Sequence, residues 1–167
     1  NGIRLAIEEL NAKKLVIGGQ TVQFELKSED DQGDPRQAVV VANQMVDAGI
    51  SGMLGHFNSG AAIPSAPIYA KAGIPDLSPA TNPGFTELGH KNVFRVLASD
   101  ADVGAVLAKL AVGQLGAKRI AVIDDRTAYG KGSAEDFAKR AKALGAEIVA
   151  QEFTTDKSVD FSAILTN

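Results

Sequence analysis

The sequence predicts an α/β fold made of two doubly wound parallel lobes, the second of them incomplete. Three observations predict it. Segments with a strand's apolar period alternate with segments of helical period along the chain, and three of the helical segments run into a glycine. A continuous apolar strand, RIAVIDD, then reopens the alternation late in the sequence.

Composition bounds the answer. The 167 residues are 45% hydrophobic and 22% charged, which is enough apolar surface for one or two globular units. The net charge is -3 and the lysines and arginines are scattered, so no basic footprint points to nucleic acid or to an acidic membrane surface. No stretch approaches the ~18 consecutive apolar residues of a membrane span, and no charged leader precedes an apolar run. The absence of cysteine excludes disulfides, thiolate metal sites and a cysteine nucleophile.

Each element follows from local pattern. Residues 3–11, IRLAIEELN, can gather Ile3, Leu5, Ala6, Ile7 and Leu10 on one helical face. Gly18-Gly19 makes a turn into TVQFELKSED, where Val22, Phe24 and Leu26 alternate with polar residues as in a half-exposed strand. Asp34 and Pro35 read as N-cap and first residue of a helix to about Ala48, stopped by Gly49, with Val39, Ala42, Met45 and Val46 inward. Strand 50–55, a helix within 61–72, strand 74–77, a proline-rich loop and strand 93–97 continue the alternation. A helix from about Asp102 to Leu115 ends at Gly116, and RIAVIDD follows as a strand buried on both faces. Helix 129–144 ends at Gly145, strand 147–153 follows, and Asp160-Phe161-Ser162 opens one more helix. The boundary between lobes is expected at 98–102, giving lobe I as 1–99 and the start of lobe II as 100–167.

The parts from DDQGDPRQAVVVANQMV through GHFNSG, IPDLSPATNP and VFR to AVIDD and YG stand in an order and spacing that resembles the branched-chain amino-acid and amide binding proteins of ABC importers. The resemblance runs from LAIEELN to DFSAIL. It implies the type I periplasmic-binding-protein fold, with this chain as an internal fragment, since the family's chains are about twice as long and begin with a strand that is not found here. The family writes S-P-A-A-T or S-P-S-A-T where this chain has Ser78-Pro79-Ala80-Thr81-Asn82, one residue shorter.

A free amino acid presents a carboxylate beside an ammonium, so its receptor needs convergent donors next to convergent acceptors, which loops at strand C-termini supply. Ser59 lies after the strand that ends at Gly55 and just before a helix, a place where hydroxyl and backbone N–H groups hold a carboxylate. The resemblance makes it the family's carboxylate-binding serine; helix capping is the alternative. Thr81 sits in a loop stiffened by Pro79 and Pro83, its hydroxyl able to bond carboxylate or ammonium, while the Ala80 carbonyl can accept from the ammonium. Asn82 reads equally as a further polar contact or as a turn residue. By the resemblance, Tyr129 is the tyrosine with which the family's second lobe reaches the ligand; a buried core tyrosine is the alternative. Asp100 reads either as a partner for the ligand amine or as a helix cap.

Enzyme patterns are weak. His56 and His90 have no carboxylate spacing of a metal site and read as packed or surface imidazoles. Phe57-Asn58-Ser59-Gly60 is not a nucleophile elbow, and Gly130-Lys131-Gly132-Ser133 lacks phosphate-loop spacing. The resemblance therefore implies a solute-binding component of an ABC transporter without catalytic residue, cofactor or metal. Its partners would be an amino acid or amide and a membrane permease, with no nucleic acid. Its place would be the periplasm, or the outside of the cell on a lipid anchor. The alternative is a ligand-sensing domain of a regulator or receptor with the same fold.

Overall fold

The computed structural model describes residues 2–155 and 157–166. The chain divides into two units, residues 1–30 and residues 31–167.

In the first unit, α1 spans Gly2–Ala12, and β1 (Val16–Ile17) pairs antiparallel with β2 (Gln20–Thr21). Gly18 and Gly19, at φ 59° and 82°, make the turn, a left-handed pair that glycine adopts without penalty. Beyond β2 the expected strand differs. Val22, Phe24 and Leu26 are half-buried while their neighbours are exposed, so the period of two is real. Yet no ladder forms over 22–29 among the described residues. The backbone groups of Phe24 are instead met by the Asn11 side chain, which donates to its carbonyl at 2.9 Å and accepts from its amide at 2.8 Å. An apolar alternation marks the faces of an extended segment and says nothing of its pairing partner.

The second unit opens with α2, Pro35–Asp47, whose N-cap is Asp34 as predicted: its carboxylate accepts from the amides of Arg36 at 2.8 Å and Gln37 at 2.9 Å. Those bonds hold the Asp34 carboxyl below its ordinary range. Ala38, Val41, Ala42 and Met45 are buried, with Val39 and Val46 half-buried beside them. Next come β3 (Met53–Leu54), α3 (Ser59–Ala72), β4 (Asp76–Ser78), α4 (Gly84–Glu87) and β5 (Val93–Arg95). Strands β3, β4 and β5 form one parallel sheet in that order. Helix α3 begins at Ser59 and runs through Pro64 and Pro67. Six buried side chains along it, Tyr69 among them, tie it to the core, and packing overrides the two lost amide donors. Short helix α4 was not expected in the proline-rich loop.

Two apolar clusters carry this part. Val41, Ala42, Met45, Tyr69 and Ile74 lie between α2 and α3. Ala62, Ala66, Ala80, Phe85 and Val93 lie between α3, α4 and the sheet.

Helix α5 (Asp100–Ala108) starts earlier than its apolar period suggested, because Ser99 and Asp102 form a reciprocal capping box. It continues as a π-helical stretch, Lys109–Gln114. Strand β6 (Arg119–Asp124) and β7 (Glu147–Phe153) pair in parallel, flanking α6 (Ala128–Ala143), and α7 spans Ser162–Thr166. The expectation that β6 is buried on both faces is corrected: only Val122 in it is buried. Its inward side chains pack against Ala134, Ala138 and Phe137 of α6, and its alternate residues stay open. Helices α5 and α6 come close at Gly104, where a Cβ would stand 3.1 Å from the backbone nitrogen of Phe137.

Candidate functional site

The C-terminal ends of β3 and β4 lead into two loops that meet. Ser59, the first residue of α3, is 2% exposed and does not cap its own helix. Its Oγ accepts instead from the Asn82 amide at 3.3 Å, which draws the start of α3 and the 80–82 loop together. With a lone pair so engaged, the Ser59 hydroxyl proton remains for another acceptor. The helix N-cap, Asn58, makes no side-chain cap bond, so the first-turn amides of α3 have no carboxamide spent on them.

Ala80 is buried in the Phe85 cluster, and its amide donates to Ser78 Oγ at 3.0 Å. The Thr81 carbonyl accepts from the Asp100 amide at 2.8 Å. Asp100 is the first residue of α5 and not its cap, which is Ser99. The Asp100 carboxyl is 2% exposed, and its Oδ2 has no hydrogen-bond partner. Burial pushes its pKa up, with Asp136 adding, while a hydrogen bond from the Thr81 side chain and the charge of Arg95 oppose the rise.

Asn82 is committed on both ends of its side chain. Its Oδ1 accepts from the Gly84 amide at 2.9 Å, and its Nδ2 donates to the Ala128 carbonyl at 2.7 Å. That bond joins the loop after β4 to the first turn of α6, where a Cβ on Gly132 would collide with the same carboxamide. The Asn82 carbonyl is held by Arg95 Nη1 at 3.0 Å. Tyr129, next to Ala128, is 51% exposed and lines an open groove of about 410 Å³ together with Asp124, Asp125, Ser133, Phe137 and Thr154.

The arrangement thus brings Ser59, Ala80, Thr81 and Asn82 together beside the buried Asp100 carboxyl. Tyr129 stands one residue from the point where α6 touches that cluster. A family model described as periplasmic binding protein matches residues 1–167.

The chain belongs to the periplasmic binding protein family. It is 37% identical to Leu/Ile/Val-binding protein homolog 1 of Brucella abortus over 165 residues, 98% of this chain and 44% of that relative. It is 38% identical to the leucine-specific-binding protein of Salmonella typhimurium over 166 residues, again 44% of the relative. Among solved structures, the branched-chain amino acid transporter substrate binding protein LivJ of Streptococcus pneumoniae, in complex with isoleucine, superposes with a TM-score of 0.84 at 30% identity. It is covered over 46% of its length by 99% of this chain. The leucine binding protein LivK of Thermotoga maritima gives 0.83 at 30% identity, with 98% of this chain and 47% of that one covered. The chain therefore spans a little under half the length of the relatives it matches.

Sequence reading missed a chain of buried polar side chains next to these loops. His56, 3% exposed, is packed as expected but is also the centre of a polar chain: its Nδ1 lies 2.6 Å from Asp31 Oδ2 and its Nε2 3.2 Å from the Tyr69 hydroxyl. Burial, with Asp76 and Asp31 adding, raises the Tyr69 pKa and keeps its hydroxyl protonated. Asp76, 1% exposed in the middle strand, has an unpartnered Oδ1, and burial pushes its pKa up to about 7. Positions 31, 56 and 69 share no period or motif spacing, so no sequence signal joins them. Among the described residues, no group of three His, Cys, Asp or Glu is placed to hold a metal ion.

Proposed function

We propose that these residues form the gripping half of a solute receptor that captures an amino acid, branched-chain or similar, or a small amide between two α/β lobes and presents it to a membrane permease, without catalysis. The observation that carries this is the convergence of Ser59 Oγ and the 80–82 loop at 3.3 Å, beside the buried Asp100 carboxyl with its free Oδ2. The Ser59 hydroxyl and the first amides of α3 meet the ligand carboxylate at the positive end of a 14-residue helix. The Ala80 carbonyl, the Thr81 hydroxyl and Asp100 meet the ammonium. Tyr129 closes from the other side.

On this reading residues 1–99 belong to lobe I and 100–167 begin lobe II. Contacts made only when the lobes close shift the receptor toward the closed state, which the permease recognises. The relatives' names support the solute class: leucine-specific, Leu/Ile/Val-binding, and a structure holding isoleucine. Membership of the periplasmic binding protein family supports a place outside the cytoplasm for the working receptor, in the periplasm or, on a lipid anchor, at the cell exterior. No helix among the described residues is long and apolar enough to cross a membrane.

The test is calorimetric titration of the intact receptor with leucine, isoleucine, valine and their amides. Ser59→Ala removes one hydrogen bond to a charged group and is expected to weaken binding about 10- to 100-fold. If no amino acid or amide binds the wild type, solute capture fails; unchanged affinity in Ser59→Ala removes the serine from the site.

A further inference from the structure

We propose that the buried Asp31–His56–Tyr69 chain is a positioning device that sets the two ligand loops, with His56 as the positioning residue; this rests on the solute-capture reading above. His56 stands three residues before Ser59, inside the loop that leaves β3. Its ring is fixed at both nitrogens. A carboxylate accepts, so Nδ1 donates in that 2.6 Å contact, and Nε2 lies 3.2 Å from the Tyr69 hydroxyl.

Each neighbour is itself anchored. Asp31 Oδ1 accepts from the Gly33 amide at 2.8 Å, so the acidic turn before α2 holds that carboxylate in place before it meets the imidazole. The same turn comes close to the loop a second time: a Cβ added at Gly33 would stand only 2.8 Å from Asn58 Nδ2. Tyr69 is fully buried in the cluster between α2 and α3. Backbone geometry completes the circuit. The Ser78 hydroxyl donates to the His56 carbonyl and accepts from the Ala80 amide at 3.0 Å, and two residues on, the Asn82 amide donates to Ser59 Oγ at 3.3 Å. His56 thus links the acidic turn, helix α3 and the loop after β4, and the ring of bonds closes on the residue assigned to the carboxylate. His56 and Tyr69 are buried, so on this reading they act through the loops and not on the solute itself. What they control is where Ser59 and Ala80 stand.

The experiment uses the intact receptor and two mild variants, Asp31→Asn and Tyr69→Phe, so that a folding failure in a His56 substitution does not decide the matter. Asp31→Asn removes the charge-assisted contact and should raise the Kd for leucine about tenfold. Tyr69→Phe should do so by a smaller factor. The second readout needs no ligand: in the free protein the backbone amide resonances of Ser59 and Ala80 should move in both variants, and the wild-type His56 Nδ1–H signal should shift when leucine saturates the site. The inference is overturned if both variants bind leucine within about twofold of wild type, or if the Ser59 and Ala80 resonances stay where they were while only the melting temperature falls. Should the wild type bind no amino acid, solute capture is lost, and the amide resonances alone decide whether the chain positions the loops.

Discussion

The wild-type chain should lose stability as the pH is raised from about 4 to about 7 by way of Asp76, and Asp76→Asn should remove that part of the slope. The sign follows from proton counting. The ordinary value for this carboxyl is 3.8, and burial pushes it to about 7 in the folded chain. Between those values the native state holds a proton that the unfolded state has released, so each step up in pH favours unfolding. Below 3.8 both states are protonated, and above about 7 the full penalty has been taken. The interval bounds the effect at roughly 4 kcal/mol.

Asp100, also raised by burial, tilts the profile in the same direction. Asp34, Asp102 and Asp160 are lowered by their cap and turn hydrogen bonds and act oppositely, losing stabilisation as the pH falls through their depressed values. The informative quantity is therefore the difference between wild type and Asp76→Asn in urea midpoints across pH 4 to 8. Asparagine should be the more stable above neutrality, with the gap closing toward pH 4. Parallel curves would mean that Asp76 is ionised throughout.

Phe85→Ala should cost about 3–5 kcal/mol, the range for emptying an aromatic site in a packed interior. Phe85 is fully buried, and the alanines around it, Ala62, Ala66 and Ala80, have no side chain long enough to fill the space. Because Ala80 is one wall of that space, the loss should reach the 80–82 loop as well as the fold. Denaturant titration measures the first effect and, on the proposed function, leucine titration of the intact protein the second. A loss below about 1 kcal/mol would show that α4 settles into the gap.

Much of this architecture was legible. Helix α2 announced itself through Asp34, Pro35 and Gly49, and β7 spans the predicted residues, because caps and apolar periods are local properties of the chain. Ser59 and the 80–82 loop were visible as strand-end residues, though not the hydrogen bond that joins them. What escaped was non-local. Helix α3 keeps two prolines because Tyr69 and its neighbours are buried, a fact that no single turn of sequence contains. Asn82 offered two polar groups and read as well for ligand as for turn; the structure shows both spent on Gly84 and Ala128. His56 read as a packed imidazole, and it is one. That packing makes it a junction of three segments only because Asp31 and Tyr69 lie on either side of the ring.

The sheet β3–β4–β5 has consequences for handling the chain. Its outer strands are β3 and β5, and Leu54, Phe94, Val96 and Leu97 on or beside them are each about half exposed. Backbone edges of end strands next to greasy side chains act, where nothing covers them, as seeds for colloidal association. A net charge of only -3 offers little mutual repulsion. Precipitation of the 167-residue chain thus becomes a question of dose, worsened by sulfate or sucrose, which strengthen apolar contact.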